Sequence, residues 1–198
     1  MSGTVAAILL AAGKSRRMGS CKQLLPLGGT TVIGRCLDTL VAAGISEIVV
    51  VVSPEGGLVA EAAREFQVRV VVNSTPGGDM ASSVRVGRDA VSAQASGVIV
   101  TLCDYPLVAS ATLEHLARQH DTSPDSIVMP THAGLRGHPL LFPRFVLDEL
   151  TSCLTLRDLT GQYRDRICHI NVDDAGILTD MDTPEDYRRV CGSVLSSA

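Results

Sequence analysis

Lys14, Arg16, Arg17 and Lys22 crowd into the stretch that follows an apolar run, Val5–Leu10, and the small residues Ala11, Ala12 and Gly13. Fixed cations and main-chain N–H groups gathered where a strand ends can hold a polyphosphate. Two familiar phosphate motifs do not account for the stretch. A P-loop needs four residues between its glycines and a Lys after the second, whereas Gly13 and Gly19 enclose five and Ser20 follows. The tripeptide Gly13-Lys14-Ser15 only imitates it, and no G-x-G-x-x-G is present. A surface loop with ordinary basic residues is the alternative. The conjunction of strand, glycine hinge at Gly13 and clustered cations favours an anion site.

Further along, the apolar stretch Val98–Leu102 runs through Cys103 into a lone acid, Asp104, with Tyr105 and Pro106 behind it. A carboxylate at a strand's carboxyl end, beside a polyphosphate, is suited to Mg2+, a hard cation that prefers oxygen. A turn-forming Asp before proline is the plainer reading. Near the far end, Asp180 and Asp182 flank one residue, and Asp182 or Thr183 is placed to cap a helix starting at Pro184. Capping and metal binding remain open for Asp182, and Asp180 suits a supporting role. Between Asn73 and Gly87, two glycines, Gly77 and Gly78, and the pair Ser82-Ser83 form a polar turn that feeds a helix. Such a turn can read a base edge, or it can be a loop with an N-cap. Gly134 and Gly137 bracket Arg136 and precede His138 and Pro139, so backbone there could approach a ligand closely. No nucleophile elbow and no zinc spacing is present, and Cys103 reads as strand packing.

The elements that must position these groups follow from periodicity. Strands are expected at Val5–Leu10, Glu47–Val52, Arg69–Val72, Gly97–Leu102, Ser126–Met129 and Ile167–Val172. Helices are expected at Thr31–Ala43, Leu58–Phe66, Met80–Ala95, Ala111–Gln119, Pro143–Leu150 and Pro184–Ser196, and Leu140-Leu141-Phe142 reads as strand-like. Leu37, Leu40 and Val41 fall at i, i+3, i+4, which predicts one buried helical face, with Gly44 as a C-cap. Alternation of strand and helix implies an α/β fold with a mostly parallel sheet covered on both faces.

Composition agrees. Of the 198 residues 45% are hydrophobic but only 3% aromatic, so the core is aliphatic, as a parallel sheet requires. Residues 1–198 are expected to form one domain. A net charge of −4 argues against a nucleic-acid partner. No run of 18 apolar residues occurs and the basic residues follow the first apolar stretch, so neither a membrane span nor a signal peptide is expected. Six cysteines without a C-x-x-C pair read as reduced thiols, and the expected location is cytoplasmic.

Taken together, LAAGKSRRMGSCKQLLPLGG resembles the opening signature of nucleotidyltransferases, L-A-A-G-x-S-x-R-M-G-x-x-K, and LCDYP, RGHPLLF and DMDTPEDY extend the likeness over nearly the whole chain. The chain resembles the MobA/MocA-like nucleotidyltransferase family, on the side of the molybdenum cofactor cytidylyltransferases. The resemblance implies a three-layer α/β/α, Rossmann-like fold of the nucleotide-diphospho-sugar transferase type. It implies that Arg17 and Lys22 are catalytic, holding the triphosphate and stabilising charge in the transition state. Leu10, Ala11, Ala12, Gly13, Ser15, Asn73, Ser82 and Ser83 would join them in binding the nucleotide. Asp104 and Asp182 would bind Mg2+, and Gly137, His138 and Pro139 would face the acceptor. The implied partners are an NTP, with CTP favoured, a small phosphorylated acceptor such as molybdopterin, and a molybdoenzyme or its chaperone. The implied reaction moves an NMP group to that acceptor and releases pyrophosphate. A sugar phosphate or other small phosphate as acceptor, or a non-catalytic nucleotide- or cofactor-binding module, are the alternatives. Asp79 before Met80, Tyr105, and the stretch Thr155–Gly161 depart from the family pattern and bear on the acceptor.

Overall fold

A computed structural model describes residues 4–13, 15 and 17–196; Lys14 and Arg16, two of the expected loop cations, lie outside the described residues. The chain runs β1 (Thr4–Leu10), a hairpin of β2 (Pro26–Leu27) and β3 (Thr30–Thr31), α1 (Val32–Ala42), β4 (Glu47–Val52), α2 (Gly57–Arg64), β5 (Arg69–Val72), α3 (Met80–Ala90), β6 (Ala95–Leu102) and α4 (Ser110–Thr122). There follow β7 (Ile127–His132), β8 (Leu135–Arg136), β9 (Leu140–Pro143), α5 (Arg144–Asp148), α6 (Leu156–Gln162), β10 (Ile167–Asn171) and α7 (Pro184–Ser196). Strands order as β10-β7-β9-β6-β1-β4-β5, with β8 paired to β7. Pairings among β5, β4, β1 and β6 are parallel, as is β7 with β10; β9 is inserted antiparallel between β6 and β7.

Side chains alternate between the two faces of the sheet, as period-two geometry demands. Ala7 and Leu9 of β1, Ile48, Val50 and Val52 of β4, and Ile99 of β6 pack in one core with Ile33 and Leu37 of α1, Leu113 of α4 and Val190 of α7. Ala6 and Ile8, Val49 and Val51, and Val98 and Val100 point the other way, onto Val84 of α3, Val146 of α5 and Leu159 of α6. The result is the three-layer α/β/α arrangement expected from the alternation of strand and helix and from the family resemblance. Among the described residues, no helix is long and apolar enough to cross a membrane.

Several boundaries differ from expectation for identifiable reasons. The helix expected through Ala95 stops at Ala90, because Ala95 already pairs with Thr4 across the sheet. The helix expected from Pro143 starts one residue later, because Pro143 still belongs to β9. Helix α6 was not expected, although Thr155 and Asp158 form a reciprocal capping box that starts it. Val41 is 56% exposed, against the expectation of a buried position. At 100° per residue, Ile33, Cys36, Leu37 and Leu40 centre the buried stripe of α1 to one side, and Val41 falls off its edge. Gly44 does end that helix in a left-handed conformation, φ 75°, with Gly44 N–H on Val41 C=O and Ile45 N–H on Leu40 C=O.

Candidate active site

Strands β1 and β6 are neighbours, but the chain leaves β1 toward β4 and β5 on one side and returns by β6 on the other. The carboxyl ends of two such strands open a crevice between diverging connections. Past its last residue β1 is still held on both sides: Ala11 N–H donates to Val51 C=O at 2.8 Å, and Leu10 C=O accepts from Cys103 N–H at 3.1 Å. Leu10, Ala12 and Gly13 therefore present their main chain at a fixed place on the crevice wall.

Gln23, which the sequence did not single out, shapes the loop that follows. It is 2% exposed. Its Nε2 donates to Ala11 C=O at 3.1 Å and to Gly13 C=O at 2.9 Å, while its Oε1 accepts from Ser15 Oγ and Cys21 Sγ, both at 3.2 Å. Ser15 Oγ in turn accepts from Lys22 N–H at 3.1 Å. Ser15 thus builds the loop from within, and Ala11 is held between Gln23 of the loop and Val51 of β4. Gly13, the expected hinge, is not left-handed; among the described residues of the loop that conformation is taken by Ser15 (φ 46°) and Gly19 (φ 67°). A Cβ on Gly13 would meet only Gln23 Nε2 at 3.7 Å and Lys22 Cε at 4.0 Å, ordinary contacts.

The loop delivers Lys22 to the opposite wall. Its ammonium, on a residue only 8% exposed, donates to Asp104 Oδ2 at 2.8 Å, Asp182 Oδ1 at 3.0 Å and Met181 C=O at 3.3 Å. Arg17, reaching in from solvent, binds the other oxygen, Asp182 Oδ2. The two acidic segments are tied together as well, since Met181 N–H donates to Asp104 C=O at 2.9 Å. Burial pulls the Lys22 ammonium down, but the hydrogen bonds and charges of Asp104 and then Asp182 outweigh it and leave its pKa above the ordinary value. The hydrogen bond from Lys22 is the main cause that holds Asp182 below the usual carboxylate range, against partial burial and with help from Arg17. Asp104 Oδ1 is buried and has no partner among the described residues.

Of the two roles left open for Asp182, the capping one is taken by its neighbour. Thr183 Oγ1 accepts from Asp186 N–H at 3.2 Å while Asp186 Oδ2 accepts from Thr183 N–H at 2.9 Å, so Thr183 caps α7. Asp182 is free to face Lys22 and Arg17. Among the described residues no group of three or more His, Cys, Asp or Glu could hold a metal ion. The oxygen donors brought together are Asp104 and Asp182. Two carboxylates with a spare buried oxygen fit Mg2+, which keeps several waters and uses few protein ligands.

The crevice itself is a cleft of about 510 Å³. Beyond Lys22 and Asp104 its walls include Ser53, Pro54 and Glu55 after β4, and the turn from Asn73 to Met80. Asn73 is buried and its Nδ2 donates to Ser82 Oγ and Ser83 Oγ, each at 2.9 Å. Ser83 reaches the cleft wall, but Ser82 lies behind it, with its Oγ on Asp79 C=O at 2.8 Å. The nucleotide contact expected of Ser82 is thereby corrected: its hydroxyl is used to fasten the turn. Asp79 is the N-cap of α3, accepting from Ser82 N–H at 2.8 Å, which accounts for an acid at this departure from the family pattern. Glu55 and Ser53 carried no sequence signal beyond following a strand.

At the segment expected to face the acceptor, Gly137 is corrected too. A Cβ there would lie 2.5 Å from Ile177 C=O and 2.6 Å from its Cγ1, so the close approach that glycine permits is to Ile177. Gly137 N–H donates to Pro130 C=O and His138 N–H to Ile177 C=O, and Pro139 is buried. The His138 ring packs on Tyr105, centroids 5.1 Å apart, and burial lowers its pKa although the Asp104 charge opposes this. His138 is thus held by Tyr105, in a position where the Asp104 charge acts on it. Cys103 is buried against Cys36, whose Sγ lies 3.7 Å from Cys103 C=O; the contact with Cys36 and burial push its thiol well up, as packing rather than nucleophilic use requires.

Comparison with known proteins adds a family. Residues 7–167 match the MobA-like NTP transferase domain. Nicotine blue oxidoreductase of Paenarthrobacter nicotinovorans is 31% identical over 145 residues, 69% of this chain and 70% of that one. Molybdenum cofactor cytidylyltransferase of Escherichia coli K12 is 26% identical over 189 residues, 91% of this chain and 92% of that one. Bifunctional protein GlmU of Agrobacterium fabrum is 30% identical over 164 residues, 80% of this chain, which spans about a third (35%) of that protein's length. Among solved structures, Rv0371c of Mycobacterium tuberculosis superposes with a TM-score of 0.84 at 32% identity, covering 97% of this chain and 100% of that one. A structure of the same protein is a complex with manganese.

Proposed function

Because the chain belongs to the family of MobA-like NTP transferase domains, we propose that it moves an NMP group from an NTP to a small phosphorylated acceptor and releases pyrophosphate. CTP is the favoured donor and molybdopterin the favoured acceptor. The observation that carries this reading is the Lys22 ammonium held between Asp104 and Asp182 at the edge of the cleft, with Asp104 Oδ1 left over. The near full-length likeness to a molybdenum cofactor cytidylyltransferase supports the choice of donor and acceptor.

The proposed reaction asks little proton transfer of the protein. A phosphate monoester has a second pKa near 6, so at neutral pH the acceptor is largely a dianion. One of its oxygens attacks the α-phosphorus, a new P–O bond forms, the α–β bridge breaks, and the electron pair leaves on pyrophosphate. The obstacle is repulsion between anions and charge growing on the leaving group. Lys22 and Arg17 supply fixed positive charge there, and the main chain of Leu10–Gly13 positions the phosphates, so catalysis is orientation plus electrostatics. Asp104 and Asp182 would hold Mg2+, which when bound adds charge neutralisation and aligns phosphate oxygens; the manganese complex of the related mycobacterial protein supports an ion of this class. His138, packed on Tyr105, would face the acceptor as a hydrogen-bond donor.

The 31% identity to nicotine blue oxidoreductase favours a second reading, in which the same cleft serves a redox reaction. One assay separates the two. Pyrophosphate release is followed with CTP, GTP, ATP and UTP and Mg2+, adding molybdopterin and then sugar phosphates as acceptors. Release that depends on acceptor and is fastest with CTP and molybdopterin bears the proposal out. No pyrophosphate with any pair would leave the redox reading in its place.

A further inference from the structure

The carboxylates that fit a divalent cation are already engaged. Of their four oxygens, Asp104 Oδ2 and Asp182 Oδ1 are on Lys22 and Asp182 Oδ2 is on Arg17, which leaves Asp104 Oδ1. Resting on the metal reading above, we infer that Lys22 is an internal occupant of the cation site, and that the ion enters together with a triphosphate that draws Lys22 and Arg17 away.

Three observations carry this. First, the ammonium lies 2.8 Å and 3.0 Å from one oxygen of each carboxylate. A Mg2+ ion ~2.0–2.1 Å from the same oxygens needs that space. Second, the Lys22 side chain is only 10% exposed. A buried ammonium does not give up its counter-ions unless others replace them, since an unpaired buried charge is heavily penalised. Third, the replacement is within reach. Lys22 Cε lies 4.0 Å from where a Gly13 Cβ would be, so its stem passes close to Gly13, which lines the cleft with Leu10 and Ala12. Rotation of its terminal bonds moves the ammonium from the carboxylates to a phosphate held there. The exchange links two ligands through one side chain. Each must then tighten the binding of the other by the same factor, as linkage requires.

Mn2+ binding measured by electron paramagnetic resonance, without acceptor, tests the inference. With Mn2+ alone the wild type should bind weakly, and with CTP or GTP present about tenfold or more tightly, a usual size for coupling between sites. Lys22→Met should bind Mn2+ alone about tenfold more tightly than wild type and lose most of the gain from nucleotide. Arg17→Gln removes a side chain that is 69% exposed, so folding does not depend on it, and should shift Mn2+ affinity the same way by less. Arg136→Gln, which deletes an equal charge from exposed β8, should change nothing. Equal or weaker Mn2+ binding by Lys22→Met and Arg17→Gln overturns the inference while leaving the metal reading intact, as does an equal gain in Arg136→Gln. Mn2+ binding by none of the four proteins, with or without nucleotide, overturns the metal reading itself and the inference with it.

Discussion

Gly13 separates a residue required by the fold from one required by a ligand. An alanine there meets nothing closer than 3.7 Å, and the backbone is not left-handed. Gly13→Ala should therefore melt within a degree or so of wild type, by ~0.5 kcal/mol at most, yet bind nucleotide poorly, because the methyl group stands where phosphate must approach main chain. Calorimetry for stability and titration with CTP for binding would show the split. Lys22→Ala should lower turnover by ~10²–10³, the scale for a principal charge-stabilising donor; steady-state rates within a few-fold of wild type would remove Lys22 from that role. Asp182 gives a pH signature. Its pKa in the fold lies below the ordinary value of 3.8, so its ion pairs stabilise the protein above that pH and the contribution is lost as pH falls through the lowered value. Lys22 works in the opposite sense, its contribution being full below 10.5 and lost as pH rises through its raised value. The melting-temperature difference between wild type and Asp182→Asn should hold across neutral pH and close as the solution is acidified past 3.8. An unchanged difference in acid would mean that the ion pairs do not set it.

Elements place these residues by local devices, some visible in sequence and some not. Thr183 and Asp186 cap α7 and so fix the segment that carries Asp182, while Tyr187 Oη donates to Pro26 C=O at 2.6 Å and ties α7 to the β2–β3 hairpin. Thr183→Ala should cost about 1 kcal/mol in chemical denaturation, as loss of an N-cap does. It should cost activity as well, through Asp182. The Asp182-Thr183-Pro184 start signal is legible in the chain, but which of the two side chains caps is not, because both have the right chemistry and only the backbone path decides. Gly137 illustrates the converse. Glycine brackets around Arg136, just before His138, read as room for a ligand, whereas the space is taken by Ile177, forty residues on in the chain. Gly137→Ala should destabilise by ~1–3 kcal/mol, as overpacking does, whatever the acceptor.

For the whole molecule, the site is a meeting of distant segments. Lys22 is 82 residues from Asp104 and 160 from Asp182. A ligand that bridges them must stabilise the entire fold by mass action, about 2.7 kcal/mol at a hundred times Kd. CTP with Mg2+ should therefore raise the melting temperature more than either alone, and more than GTP with Mg2+ if cytosine is preferred. Much of this architecture was legible beforehand. The alternation of short aliphatic runs with amphipathic stretches dictates a parallel sheet between two helical layers, because neither element can bury its apolar face alone, and Lys22, Asp104 and Asp182 stand out as charges at strand or helix ends. What pairs with what was decided only in three dimensions. Asn73 turned Ser82 inward, Gln23 took the loop carbonyls, β9 entered the sheet against the direction of its neighbours, and Lys22 reached two carboxylates at once. Periodicity and capping act over a few neighbouring residues and can be read along the chain. A salt bridge between remote segments depends on where the backbone has already been carried, so it exists only once the layers have packed.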